Sequence, residues 1–181
     1  MTLYDDTRLQ ELMTAIAADN GDEIALVDRA LADFPDDPRL HFLRGSLLAG
    51  IGRPIEALSA LKAAVELAPD FAIARFQLGF FQLTSGEAAD ALSTWGPLAL
   101  LPEGHYLRSF VAGLTYLIRD EFVPATEQLR LGIVANEENL PLNRDMQLII
   151  DRISDLAAGN AGDDTMSATS LLLGQFSGRP N

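Results

Sequence analysis

His41 and His105 are the side chains of this chain best placed to move protons near neutral pH. They stand 64 residues apart, and neither has a partner at metal-ligand spacing. Cysteine is absent, which removes thiolate nucleophiles, disulfides and sulfur-ligated metals. No phosphate loop, nucleophile elbow, HExxH pair or dinucleotide fingerprint occurs. Asp19-Asn20-Gly21-Asp22 resembles the start of a calcium loop but lacks the alternating ligands and the closing glutamate, so it reads as a turn. Gly104-His105-Tyr106 reads as a connecting loop with polar caps. The expectation is a protein that is not an enzyme, with no catalytic residue, no cofactor and no metal.

The balance of charge narrows the partners. Thirteen Lys and Arg against 26 Asp and Glu leave a formal charge of −13, which a phosphate backbone would repel, and no basic patch interrupts it. The opening MTLYDDTRLQEL is acidic and amphipathic rather than a basic segment before an apolar one, so no signal peptide is expected. No apolar run approaches the roughly 20 residues a membrane helix needs. A cytoplasmic protein without nucleic-acid or membrane partners is expected. Its 48% apolar residues suffice for a packed core.

The elements behind these residues declare themselves by period. Gly45, Gly79 and Gly113 fall 34 residues apart, as do Ala57, Ala91 and Ala125. Phe42, Phe76 and Phe110 keep the step, and so do the bulky Leu61, Trp95 and Leu129. A fixed 34-residue period marks stacked repeats. Each of the copies 38–71, 72–105 and 106–139 makes two helices. In the first, helix A covers 38–50, Gly52 turns the chain, Pro54 opens helix B and Pro69 stops it. Helix B carries Ile55, Leu58, Leu61 and Val65. Gly86 and Asp120 take the turn in the later copies, and Pro124 lies in the first turn of the last helix B. The small Gly and Ala let paired helices approach, and the bulky residue fills the gap above them.

Residues 4–37 match the period loosely, as a degenerate first unit. Its helices are expected over 5–18, with Leu9, Leu12, Met13 and Ile16 on one face, and over 22–33. Residues 140–158 read as a capping helix striped by Leu142, Met146, Ile149, Ile153 and Leu156. Residues 159–170 read as a flexible linker, and 171–176, Leu-Leu-Leu-Gly-Gln-Phe, as an apolar tail within a closing segment 159–181.

Small residues at the eighth and twentieth positions, a bulky one at the twenty-fourth and a closing proline resemble the tetratricopeptide repeat. The resemblance covers 38–139 well and 4–37 loosely. It implies an all-α fold: a right-handed α-solenoid of antiparallel helix pairs, with three clear repeats, a degenerate N-terminal one and the capping helix, over 1–158. The chain departs from the family in places. The fourth position, usually large, is His41, Arg75 and Ser109, and the closing proline is Pro69, then Pro102 one place early, then absent. Trp95-Gly96-Pro97 interrupts the second helix B, where an interior proline costs about 3 kcal/mol and kinks or ends the helix.

The resemblance also implies a concave wall built from helix A. Its positions read Arg39, Phe42, Ser46, Ala49 and Gly50 in the first copy, then Ile73, Phe76, Phe80, Leu83 and Thr84, then Leu107, Phe110, Leu114, Leu117 and Ile118. Phe42, Ser46, Gln77, Leu107 and Val111 stand where some family members carry the Lys, Asn and Arg clamp for acidic chaperone tails, so that recognition is disfavoured. The expected contact is an apolar groove of Phe42, Ile73, Phe76, Phe80, Leu83, Leu107, Phe110, Leu114, Leu117 and Ile118. Such a surface is costly to leave wet. Three outcomes are open: an apolar or amphipathic protein segment fills it, a second copy included; the chain's own residues 171–176 fold back, which a linker span of about 19 Å allows; or short helices tilt these residues into ordinary inter-repeat core. The expected function is a non-catalytic protein-binding adaptor. The alternative is a cytoplasmic chaperone like those of type III secretion, which are small, acidic and similar in repeat number.

Overall fold

Asp5 and Asp37 cap the helices that follow them, Pro38 and Pro54 stand at helix starts, and positive-φ residues turn the chain after several helices. The computed structural model describes residues 3–18 and 21–157. Among these, every regular element is helical and no strand occurs. The chain divides between Leu78 and Gly79 into two compact units, each described here by itself.

The first unit holds α1 (Asp6–Ala17), α2 (Glu23–Asp33), α3 (Pro38–Gly50), α4 (Pro54–Leu67) and the start of α5 (Ala72–Thr84). Leu12, Val27, Ala30 and Leu40 form a buried cluster, edged by Leu9, Ile16, Leu26 and Phe34. The expected α1 face therefore holds except at Met13, which is half exposed on the flank of the helix. Ile55, one of the apolar residues expected along helix B, is 85% exposed: it lies two residues from buried Ala57, about 200° round the helix. Asp37 caps α3, its carboxylate accepting from the Arg39 backbone N–H at 2.9 Å.

The second unit continues α5 from Gly79 and adds α6 (Ala88–Trp95), a 3-10 helix (Gly96–Leu100), α7 (Tyr106–Ile118), α8 (Phe122–Ala135) and α9 (Leu140–Ala157). The proline at 97 does end the second helix B: α6 runs eight residues where α4 and α8 each run 14. The residues after Trp95 continue as the tighter 3-10 turn. Leu142, Met146, Ile149 and Ile153 of α9 are buried as the stripe requires. Asn136 and Asn143 tie α8 to α9. The buried Asn136 amide donates to the Asn139 carbonyl at 2.7 Å and to Asn143 Oδ1 at 2.8 Å, while its own oxygen accepts the Asn139 N–H at 2.9 Å.

The small-residue lock recurs at each step of the period. A Cβ added at Gly45 would stand 2.7 Å from Leu61 Cγ, and one at Gly113 would stand 2.8 Å from Leu129 Cδ2. One at Gly79 would fall onto the Trp95 indole. The three bulky partners are buried. The turns recur as well: Gly52 and Gly86 take φ of 72° and 86°, and Asp120 takes 57° in the third copy. Aspartate tolerates this left-handed region better than most side chains because its short carboxylate bonds locally.

Candidate functional site

The histidines have structural places. His41 Nε2 faces the Pro35 carbonyl oxygen at 2.7 Å, so in this contact the ring proton sits on Nε2. Thirty-four residues on, Arg75 donates to the Pro69 carbonyl from Nε at 3.1 Å and Nη2 at 2.6 Å. The fourth position of helix A thus supplies a donor to the closing-proline carbonyl, which is how this chain departs from a large packing residue there. In the third copy that position is Ser109, and the neighbouring Arg108 donates instead, from Nη1 to the Leu101 carbonyl at 2.8 Å. His105 caps α7, its Nδ1 accepting the Leu107 N–H at 3.2 Å while the ring stacks on Tyr106. Among the described residues no three His, Asp or Glu side chains cluster as a metal would require. No described helix is long and apolar enough to cross a membrane.

The ten expected groove residues separate by burial. Phe76, Phe80, Leu83, Leu107, Phe110, Leu114 and Leu117 are buried, and only Phe42, Ile73 and Ile118 retain partial exposure. Phe110 shows the physical reason in one case: its ring packs edge-on to Tyr106 at 5.8 Å and lies where any Cβ at Gly132 would have to go. In the first unit Phe42 packs edge-on to Phe71 at 5.4 Å. The tail 171–176, expected as one occupant of that groove, lies outside the described residues. Large apolar side chains do reach solvent elsewhere. Val123, Leu131 and Val134 lie on one face of α8, with Val134 83% exposed, at spacings of eight and three residues.

Arg39, which the resemblance places on the wall, is the centre of an ion-pair knot in the first unit. Its guanidinium donates to Asp37 from Nε at 3.0 Å and Nη2 at 2.7 Å, to Asp6 at 2.5 Å and to the Tyr4 carbonyl at 2.5 Å. The Tyr4 N–H donates to Asp37 at 2.8 Å. Burial alone would raise the Asp37 carboxyl, but the Arg39 side chain and the two backbone N–H groups together hold it below its ordinary 3.8. The same bonds raise Arg39 above its ordinary value. In the second unit burial, with the Glu138 carboxylate beside it, pushes the Tyr106 phenol up to about 12.

A cavity opens in the second unit, with a volume of about 280 Å³. Leu92 and Trp95 of α6 line it, with Gly96, Leu98 and Ala99 of the 3-10 helix and Arg108, Val111, Ala112 and Thr115 of α7. The α7 residues fall at helical spacing and form one face. The cavity lies along the stretch where α6 stops early. The Thr115 hydroxyl donates to the Val111 carbonyl at 2.7 Å, so its proton serves its own helix. Among the described residues Arg108 is the only charged one in the lining. Nothing in this arrangement pairs a nucleophile with a base; what it can do is bind. The sequence signal for it is Trp95-Gly96-Pro97, which predicts a kink, a helix end or a hinge but not the space beside it. No protein-family model matches the chain, and no curated protein matches it.

Proposed function

We propose that this chain is a non-catalytic adaptor of the tetratricopeptide type. Its helix pairs stack as a right-handed α-solenoid of three full repeats, with a degenerate first unit and α9 as the cap, and it binds an apolar or amphipathic protein segment in the cytoplasm. The observation that carries this reading is the lock of Gly45 with Leu61, Gly79 with Trp95 and Gly113 with Leu129, at one spacing and with one geometry. A helix pair repeated in this way leaves a face of each unit to its neighbour, and arrays of this sort present extended surfaces for peptides. The buried wall residues act as support. Contact falls to the half-exposed helix A residues, Phe42 and Ile73 in the first unit and Ile118 in the second.

Photo-crosslinking in the native cell tests the reading. A photoreactive residue placed singly at Phe42, Ile73 or Ile118 should yield one shared protein adduct. The same group at exposed Lys62 or Glu127 serves as control. No adduct at the three positions, or the same adducts at the controls, would sink the proposal.

A further inference from the structure

The cavity of the second unit combines three features that single out a ligand chemistry. Its walls are apolar: Leu92, Trp95, Leu98, Val111 and Ala112 supply most of the surface. Its volume of 280 Å³ holds about nine non-hydrogen atoms, at roughly 30 Å³ each, the share of a water molecule in the liquid. That is too small for a turn of peptide helix and close to the lower bound for small-ligand pockets. Its one ionic group among the described residues is Arg108, half-buried, which spends Nη1 on the Leu101 carbonyl. No carboxylate pairs with Arg108 among the described residues, although the chain carries 26 acidic side chains.

We propose that this cavity is a binding site for a small apolar monocarboxylate, a medium-chain fatty acid or arylalkyl acid. The hydrocarbon body lies against Trp95, Leu98 and Val111, and the carboxylate takes N–H donors that Arg108 does not spend on Leu101. Arginine suits this role because its planar fork accepts a carboxylate on two donors while the stem packs on apolar walls. A phosphate would leave most of its oxygens facing hydrocarbon, since no second cation among the described residues lines the site. A polyanion would also meet the field of a chain of net charge −13. A neutral apolar ligand would leave Arg108 half-desolvated and unpaired. The site is independent of the adaptor reading, because it needs only the second unit's α6, 3-10 helix and α7.

Trp95 is the single tryptophan of the chain and lines the cavity, so its fluorescence reports occupancy. Octanoate is titrated into the full-length protein, with octan-1-ol as the neutral isostere. Octanoate should shift the emission saturably, with a dissociation constant between about 10 µM and 1 mM, the range open to a ligand of this size. Octanol should bind more weakly. Arg108→Gln should weaken octanoate about tenfold, the loss of one charge-assisted hydrogen bond, and leave octanol unchanged. Arg108→Lys, which keeps the charge but not the fork, should fall between the two and serves if the glutamine variant loses helicity. Ala112→Val, which narrows the cavity, should weaken both ligands. No saturable shift below about 10 mM would overturn the proposal. So would equal affinity for acid and alcohol, or octanoate binding that survives both Arg108 substitutions.

Discussion

Gly113→Ala in α7 tests the lock that pairs the helices. The added methyl carbon would stand 2.8 Å from both Leu129 Cγ and Cδ2, and 3.1 Å from the Ala125 carbonyl oxygen. Leu129 is fully buried, and its Cγ is a branch point rather than a free end, so relief requires the whole side chain or the α7–α8 separation to shift. Overpacking of this kind costs about 1–3 kcal/mol, and the rigidity of both obstacles places this case near 3 kcal/mol. Alanine returns about 1 kcal/mol of helix propensity. The net loss is about 2 kcal/mol. At a urea dependence of roughly 2 kcal/mol per molar, the unfolding midpoint should fall by about 1 M. Gly50→Ala at the end of α3 is the control, because nothing stands within 4 Å of the added carbon. It should hold or raise the midpoint by a few tenths of a molar, from propensity alone.

The assay is urea unfolding followed by circular dichroism, with Leu129→Ala and the double variant completing a cycle. Leu129→Ala alone should cost about 3 kcal/mol through the cavity it leaves. In that background the extra methyl at residue 113 has room, so the cycle should return a favourable coupling of at least about 1 kcal/mol. A Gly113→Ala protein as stable as the parent, or a coupling near zero, would refute the lock.

Two pH dependences follow from the shifted groups. Asp37 is held below its unfolded value, so its contribution is fully present above about pH 4 and is lost as pH falls through the still lower folded value. Asp37→Asn should therefore destabilise the protein by about 2–4 kcal/mol at pH 7. The gap in urea midpoint should close under strong acid, and a gap constant down to pH 2 would contradict the Arg39 pairing. Tyr106 is shifted the other way, to about 12, so the stability it contributes is complete below the ordinary phenol value of 10 and is lost as pH rises through 12. Ultraviolet titration of the three tyrosines should show one phenol ionising near 12, absent from Tyr106→Phe. A titration in which no phenol ionises near 12 would contradict it.

Helix ends were legible because their causes are local. Pro38 and Pro54 at helix starts and Gly52 and Gly86 in turns act within a few residues, and the observed helices α3 and α5 begin and end at the expected places. The Gly–bulky lock was legible because a period names both partners at once. Burial of the helix A face was less so. Spacing shows that Phe76, Phe80 and Phe110 share a register, but whether that register meets water depends on what packs over it, as Gly132 does over Phe110. The bonds of Arg39 were not legible for a related reason. Its partners Tyr4 and Asp6 lie 35 and 33 residues away and follow no motif. The Asn136 and Asn143 knot also went unseen, because nothing local distinguishes a buried asparagine from one in a loop.

The departures from the period are linked, and Arg108 shows how. The closing-proline carbonyls of the degenerate unit and of the first copy are met from the fourth position of the next helix, by His41 and by Arg75. The second copy closes one residue early at Pro102, and the fourth position of the third copy is Ser109, too short to make that reach. The donor is supplied from the third position instead, as Arg108 to the Leu101 carbonyl. One residue turns the side chain about 100° round α7. That rotation matters, because residue 108 lies three, four and seven residues before Val111, Ala112 and Thr115, on the face that lines the cavity. A donor at 109 would sit off that face. The same second copy carries Gly96-Pro97, which ends α6 and leaves the space beside that face. A shortened helix without the shifted arginine would leave a purely apolar gap, and a shifted arginine beside a full helix would have no cavity to serve. The shortened helix of the second copy and the shifted arginine of the third together place a cation, with no acidic partner among the described residues, beside an apolar space, which is what recognition of a small acid requires.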